Sequence, residues 1–195
     1  MLAAKFFTKR ALSIEVVART LRPLCKTKHE FRIKDLGDHR ILFTFEDELD
    51  IEKSLLGAPW SFNKYLVALC RYETDQPLKE LCFDTAEFLV QMHNLPARRM
   101  IVDATKGICQ TLGRIIYCSD EEETDGREFM RVRMELDITK PLNRGLRVRF
   151  GPNSDGWVSF RYEHLPVFDY WRGRLTHDAK ECDVWIRNKG MLNVQ

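Results

Sequence analysis

Apolar positions along the chain fall into two rhythms, one of helices and one of strands. From Ile14 they recur three, seven and ten residues on, at Val17, Leu21 and Leu24. This is one stripe of a helix that Ser13 caps and that Pro23 and the basic Lys26-Thr27-Lys28 bring to an end. Phe31-Arg32-Ile33 and Arg40 to Phe45 alternate around the turn-prone Leu36-Gly37-Asp38-His39, the pattern of a hairpin. Asp47 to Leu56 reads as a second helix, with Ile51 and Leu55 four apart. Gly57 is suited to a left-handed cap and Pro59 cannot continue the helix, so the chain turns into the apolar run Tyr65 to Cys70, which has the length of a strand. Trp60 and Phe62 sit at that corner, where two large aromatics are most simply the plug between helices and a sheet.

The polar, proline-containing Tyr72 to Lys79 reads as a linker. A second, looser copy of the same order is predicted beyond it: a strand at Phe88 to Met92, a helix from Ile101 to Leu112 closed by Gly113, and a strand at Arg114 to Cys118. Asp120 to Gly126 holds five carboxylates in six positions and is predicted to be a solvated hairpin tip. Glu128 to Ile138, Gly145 to Phe150 and Trp157 to Tyr162 complete the predicted strands.

Chemistry enters with the last of these strands. Alternation puts Arg131 and Arg133 on one strand face and Arg147 and Arg149 on another, and residues 127 to 150 hold seven Lys or Arg against three Asp or Glu. If these strands are neighbours, they compose with Arg127 and Arg144 a basic face, either a solvated surface balanced by the acidic tip or a site for nucleic-acid phosphates. The net charge of +2 places any such affinity in the distribution of charge and not in its total. Phe7, Phe43 and Phe45 stand where an RNA-recognition sheet carries stacking aromatics, although each reads more simply as core.

The composition excludes several classes. No apolar run approaches the roughly 20 residues of a membrane helix. Six cysteines scattered through apolar patterns read as reduced core residues of an intracellular protein. His29, His39, His93, His164 and His177 are dispersed, and neither a glycine-rich phosphate loop nor a paired-histidine helix is present, so no enzyme is predicted.

The runs PWSFNKYLVALCRYE, LCFDTAEFLVQMHNLP and GICQTLGRII, followed by KPLNRGLRVRF and WVSFRYEHLP, appear in an order that resembles a plant domain of unknown function. That domain occurs in the first open-reading-frame protein of LINE-type retrotransposons and in host genes derived from them, where a zinc knuckle follows it. The resemblance supplies a first strand at AAKFFTKRAL, in a basic N-terminus whose composition also suits a mitochondrial presequence, and suggests a truncated copy. The order then becomes strand, helix, strand, strand, helix, strand, the split βαβ arrangement of ferredoxin-like and RNA-recognition folds.

The expected fold is therefore α+β: an RNA-recognition-like domain at 1–75, a second, mainly antiparallel sheet-rich half at 80–165, and a degenerate knuckle at 166–187. The knuckle spacing C-x2-C-x4-H-x4-C falls on Asp169, Arg172, His177 and Cys182, with both leading cysteines replaced. Arg offers no lone pair at neutral pH, so no bound zinc and no other cofactor is expected. By resemblance, Trp171 and Arg174 are inherited base-stacking and phosphate contacts. The implied function is binding of RNA or another single strand in the nucleus or cytoplasm, in the manner of a retrotransposon coat or chaperone protein. The competing expectation is a protein-interaction module, partnered or homo-oligomeric, that has lost nucleic-acid binding. Steep weakening of binding by salt marks the first, and indifference to salt the second.

Overall fold

Serine, aspartate and a pair of two-residue turns set the boundaries of the first half. The computed structural model describes residues 1–25, 27, 30–73, 77–118, 128–152, 154–167, 169 and 173–175. Strand β1 (Leu2–Phe6) leads to helix α1 (Ile14–Cys25), whose first bond runs from the Val17 amide to the Ser13 carbonyl at 2.9 Å. Pro23 lies inside α1 and does not stop it, because the helix continues only two residues beyond. Strands β2 (Arg32–Gly37) and β3 (Arg40–Thr44) form the expected hairpin, with Gly37, Asp38 and His39 all at positive φ. Helix α2 (Glu48–Leu56) is capped by the Asp47 carboxylate, which accepts from the Leu49 amide at 3.0 Å.

Two local expectations need correction. Gly57 has φ −77° and closes α2 in a right-handed conformation, its amide reaching the Lys53 and Leu55 carbonyls, so the left-handed cap is not used. Trp60 and Phe62 are not merely a corner: Trp60–Phe62 is a short edge strand, β4, paired with β5 (Tyr65–Arg71) through a turn at Asn63 and Lys64, both at positive φ.

All strands of this first sheet are antiparallel, in the order β2-β3-β1-β5-β4. One of its faces joins the two helices around Leu2, Phe6, Val17, Leu21, Phe43 and Trp60. Trp60 is 2% exposed, donates from Nε1 to the Ser54 carbonyl at 3.0 Å and meets Phe43 edge-on. Phe43 is fully buried and Phe45 packs against the same cluster, so both phenylalanines are core.

The second half repeats the plan. Its strands are β6 (Thr85–His93), β7 (Arg114–Cys118), β8 (Phe129–Asp137), β9 (Gly145–Gly151) and β10 (Ser154–Tyr162), with helix α3 (Val102–Cys109) between β6 and β7. They pair antiparallel in the order β7-β8-β6-β10-β9, which is the first order with each number raised by five. Where the first half inserts α2, the second has only the connection from Ile138 to Arg144. The protein is thus α+β, with three α-helices and two antiparallel five-stranded sheets among the described residues.

The shorter connection is matched by what enters the second core. Its cluster takes Phe88, Val90, Met92, Met130, Val132, Met134 and Phe160 from the sheet, Cys109 from α3, and Leu66 and Ala68 from β5. Phe7 packs against it as well. Strand β5 therefore sends Val67 into one core and Leu66 and Ala68 into the other, which is why its sequence is continuously apolar and does not alternate.

Candidate nucleic-acid interface

Alternation along β6, β8 and β10 sends even-numbered residues into the second core. Odd-numbered residues go to the opposite face, which α3 does not cover. Register orders that outer face into rows. Arg131, Gln91 and Arg161 form one row, Phe129, His93, Ser159 and Gly145 the next, then Trp157 with Arg147, then Asp155 with Arg149. The four arginines singled out from sequence therefore do share a face. Their surroundings divide them into two groups.

Arg131 and Arg133 belong to the end nearer the first half and are engaged within the protein. The Arg131 guanidinium donates to both carboxylate oxygens of Glu163, at 2.9 and 2.6 Å. Burial pushes the Glu163 carboxyl up, but the hydrogen bonds from Arg131 and Gln91 outweigh it and hold the group below its ordinary 4.5. Arg133, its side chain 14% exposed, meets Glu87 at 3.0 Å and donates to the Leu55 carbonyl at 3.3 Å and to that of Leu56. Those carbonyls end α2, so Arg133 caps a helix of the other half at its negative pole. Glu135, on the same strand face, is held below 4.5 chiefly by the hydrogen bond from Arg114.

Arg147 and Arg149 lie at the outer end and are exposed, and Arg161, in the row of Arg131, is exposed too. Arg147 meets Asp155 at 2.6 Å, a surface pair that solvent screens, and neither Arg149 nor Arg161 is ion-paired among the described residues. Arg127 lies outside the described residues. The sequence reading passed over what accompanies these arginines: Trp157, 55% exposed, and the ring pair His93 and Phe129, centroids 4.9 Å apart. Burial, and next Arg161, hold the His93 imidazole below its ordinary 6.5. The missed signal was strand parity, because Trp157 is ten residues beyond Arg147 and shares its face only if β9 and β10 are paired.

The corresponding outer face of the first sheet is not open in the same way. Ala3, Leu66 and Ala68 are fully buried there, and Phe7 lies against the second core. The positions expected to stack bases in an RNA-recognition sheet are thus closed or occupied by aliphatic side chains.

Of the knuckle positions, Asp169 and Arg174 are described, while Trp171, Arg172, His177 and Cys182 lie outside the described residues. Asp169 is buried and forms an antiparallel bridge with Arg174: its amide donates to the Arg174 carbonyl at 2.9 Å, and the Gly173 amide returns to the Asp169 carbonyl at 2.7 Å. The Leu142 amide donates to the Gly173 carbonyl, and Leu175 is 1% exposed in the second core. This tight turn is held by packing and backbone bonds. Arg174 is exposed beside it. Among the described residues no three His, Cys, Asp or Glu side chains come together as a metal site. As a donor set, buried Asp169 with Arg172, His177 and Cys182 does not fit tetrahedral zinc, because a guanidinium cannot ligate.

Comparison with known proteins gives two matches along the chain. Residues 2–79 match a domain of unknown function (DUF4283), and residues 136–184 match a zinc knuckle family. The second match begins in β8, so strands β9 and β10 are part of the likeness along with the ligand positions. An uncharacterized protein of Arabidopsis thaliana is 27% identical over 135 residues, 69% of this chain, and the chain spans 42% of that relative's length. No solved structure matches. The knuckle match points, at a coarse level, to nucleic-acid binding. Among the described residues no helix is long and apolar enough to cross a membrane.

Proposed function

We propose that the chain binds single-stranded nucleic acid, RNA foremost, as a retrotransposon-derived coat or chaperone protein does, and that it performs no catalysis. The observation that carries this reading is the outer end of the second sheet. There Arg147 and Arg149 project from a face that α3 leaves uncovered, beside the exposed Trp157 ring, with Arg161 exposed on the same face two rows back. Arginines at strand spacing neutralise phosphates and release their counterions, which supplies most of a sequence-independent affinity. Trp171 and Arg174 of the knuckle segment serve in this reading as the inherited base-stacking and phosphate contacts. It also places the protein inside the cell, in nucleus or cytoplasm, and leaves the knuckle without zinc.

A protein-interaction module is the second reading. The internal pairing of Arg131 and Arg133, together with a net charge of only +2, favours it. An anisotropy titration with labelled single-stranded RNA at two salt concentrations separates the two. In the first reading affinity falls steeply with salt, and replacing Arg147 and Arg149 together by Gln weakens binding to all sequences and lowers the slope of log K against log salt by about one to two. Binding that ignores salt, or a double variant with unchanged affinity and slope, overturns it.

A further inference from the structure

Trp157 is more than half exposed, which is costly for so large an aromatic side chain, yet its position is fixed. A Cβ added to Gly145 would lie 2.7 Å from both Cε2 and Nε1 of the indole, so the ring rests against the bare backbone of β9 and only a glycine permits it. The indole is thereby held to the sheet and open to solvent. Covering a glycine is a sufficient reason for an aromatic to sit there, but it does not account for the neighbours.

Arg147 is directly opposite Trp157 in the register, Arg149 one row further, and Arg161 four residues along the same strand face. Ser159 pairs with His93, which puts Trp157 diagonal to His93 at about 7–8 Å between strand positions, with Phe129 one strand further on beside the His93 ring. Asn94 fastens this corner by donating to the Ser159 hydroxyl at 3.2 Å. The carboxylates nearby are Asp155, already paired with Arg147, and Glu128 at the start of β8. Flat rings at two stations with guanidinium groups around them match the chemistry of unstacked bases on a phosphate chain. An apolar protein surface would leave those charges unsatisfied.

We infer that Trp157 is a stacking platform for a base of single-stranded nucleic acid, that the His93 and Phe129 pair receives the next base, and that Arg147, Arg149 and Arg161 hold the connecting phosphates. This rests on the function proposed above and adds the bases to it: the arginines bind any backbone, whereas Trp157 binds only a strand that carries bases.

The test compares wild type, Trp157→Ala and Trp157→Phe, each checked by thermal melt, with an oligouridylate of about ten nucleotides, within the usual span of such sites. An abasic strand of the same length is the second ligand. Trp157→Ala is expected to lose about tenfold in affinity for the oligouridylate, to keep its salt slope, and to bind the abasic strand as wild type does. Trp157→Phe retains most of the affinity but loses much of the quenching of tryptophan emission that the oligouridylate produces in wild type. If wild type binds the oligouridylate and Trp157→Ala equals it, or if quenching is unchanged in Trp157→Phe, the platform is refuted while the function stands. If wild type binds neither strand at either salt, the function itself fails and the platform with it. Trp157→Ala losing affinity for the abasic strand in equal measure likewise overturns base stacking.

Discussion

At the scale of single residues, the knuckle segment is decided by what two positions can donate. Asp169 has oxygen ligands but is buried in a turn whose backbone bonds and Leu175 anchor hold it in place, and Arg172 has nothing to offer a cation. Structural zinc contributes on the order of 10 kcal/mol to short knuckles, and the described part of this segment also packs against the second core through Leu175. The purified protein is expected to carry no stoichiometric zinc and to melt at the same temperature with and without a chelator, as elemental analysis and a thermal scan will show. Asp169→Cys combined with Arg172→Cys should introduce one zinc per chain. Zinc found in the unaltered protein would sink this reading, and zinc in neither would make the spacing accidental.

At the scale of elements, the basic strand β8 turns out to be a joint. Arg133 leaves its own sheet to accept the role of C-cap for α2, and Arg131 fixes Glu163 at the end of β10. Both arginines satisfy groups that would otherwise be desolvated without partners, so they act on stability before they act on any ligand. Arg133→Gln is expected to cost about 1.5–3 kcal/mol in denaturant melts, the range for hydrogen bonds to a charged group. A loss under about 0.5 kcal/mol would mean the α2 terminus is satisfied by water. The depressed Glu163 carboxyl adds a sign: because its folded value lies below 4.5, its contribution is present above that pH and fades as pH falls through the folded value.

For the whole molecule, the decisive feature is that one strand feeds two cores. Val67 faces the helices of the first half, and Leu66 and Ala68 enter the cluster of the second. The Val167 amide bonds the Lys64 carbonyl at 2.7 Å across the same junction. Two copies of one topology joined so closely should not unfold separately. Calorimetry is expected to give a single transition with matching calorimetric and van't Hoff enthalpies, and two resolved transitions would show the copies to be independent. The arrangement also divides the work, since the outer face of the first sheet is spent on the junction and only the second keeps an open, basic and aromatic end.

Much of this was legible along the chain. Turn residues at 36–39 and the apolar spacing of α1 and α2 act locally, so they placed the elements and, with the strand supplied by resemblance, the α+β order and its looser second copy. The burial of Trp60 followed from that frame. What only the tertiary structure decided is partnership. Sequence parity put Arg131, Arg133, Arg147 and Arg149 on outward faces, but whether a guanidinium meets a phosphate or Glu163, Glu87 and the end of α2 depends on residues 32 to 78 positions away. Trp157 was invisible as a site for the same reason: its exposure is set by the pairing of β9 with β10 and by the missing side chain of Gly145, and contacts between strands leave no periodic trace in either strand alone.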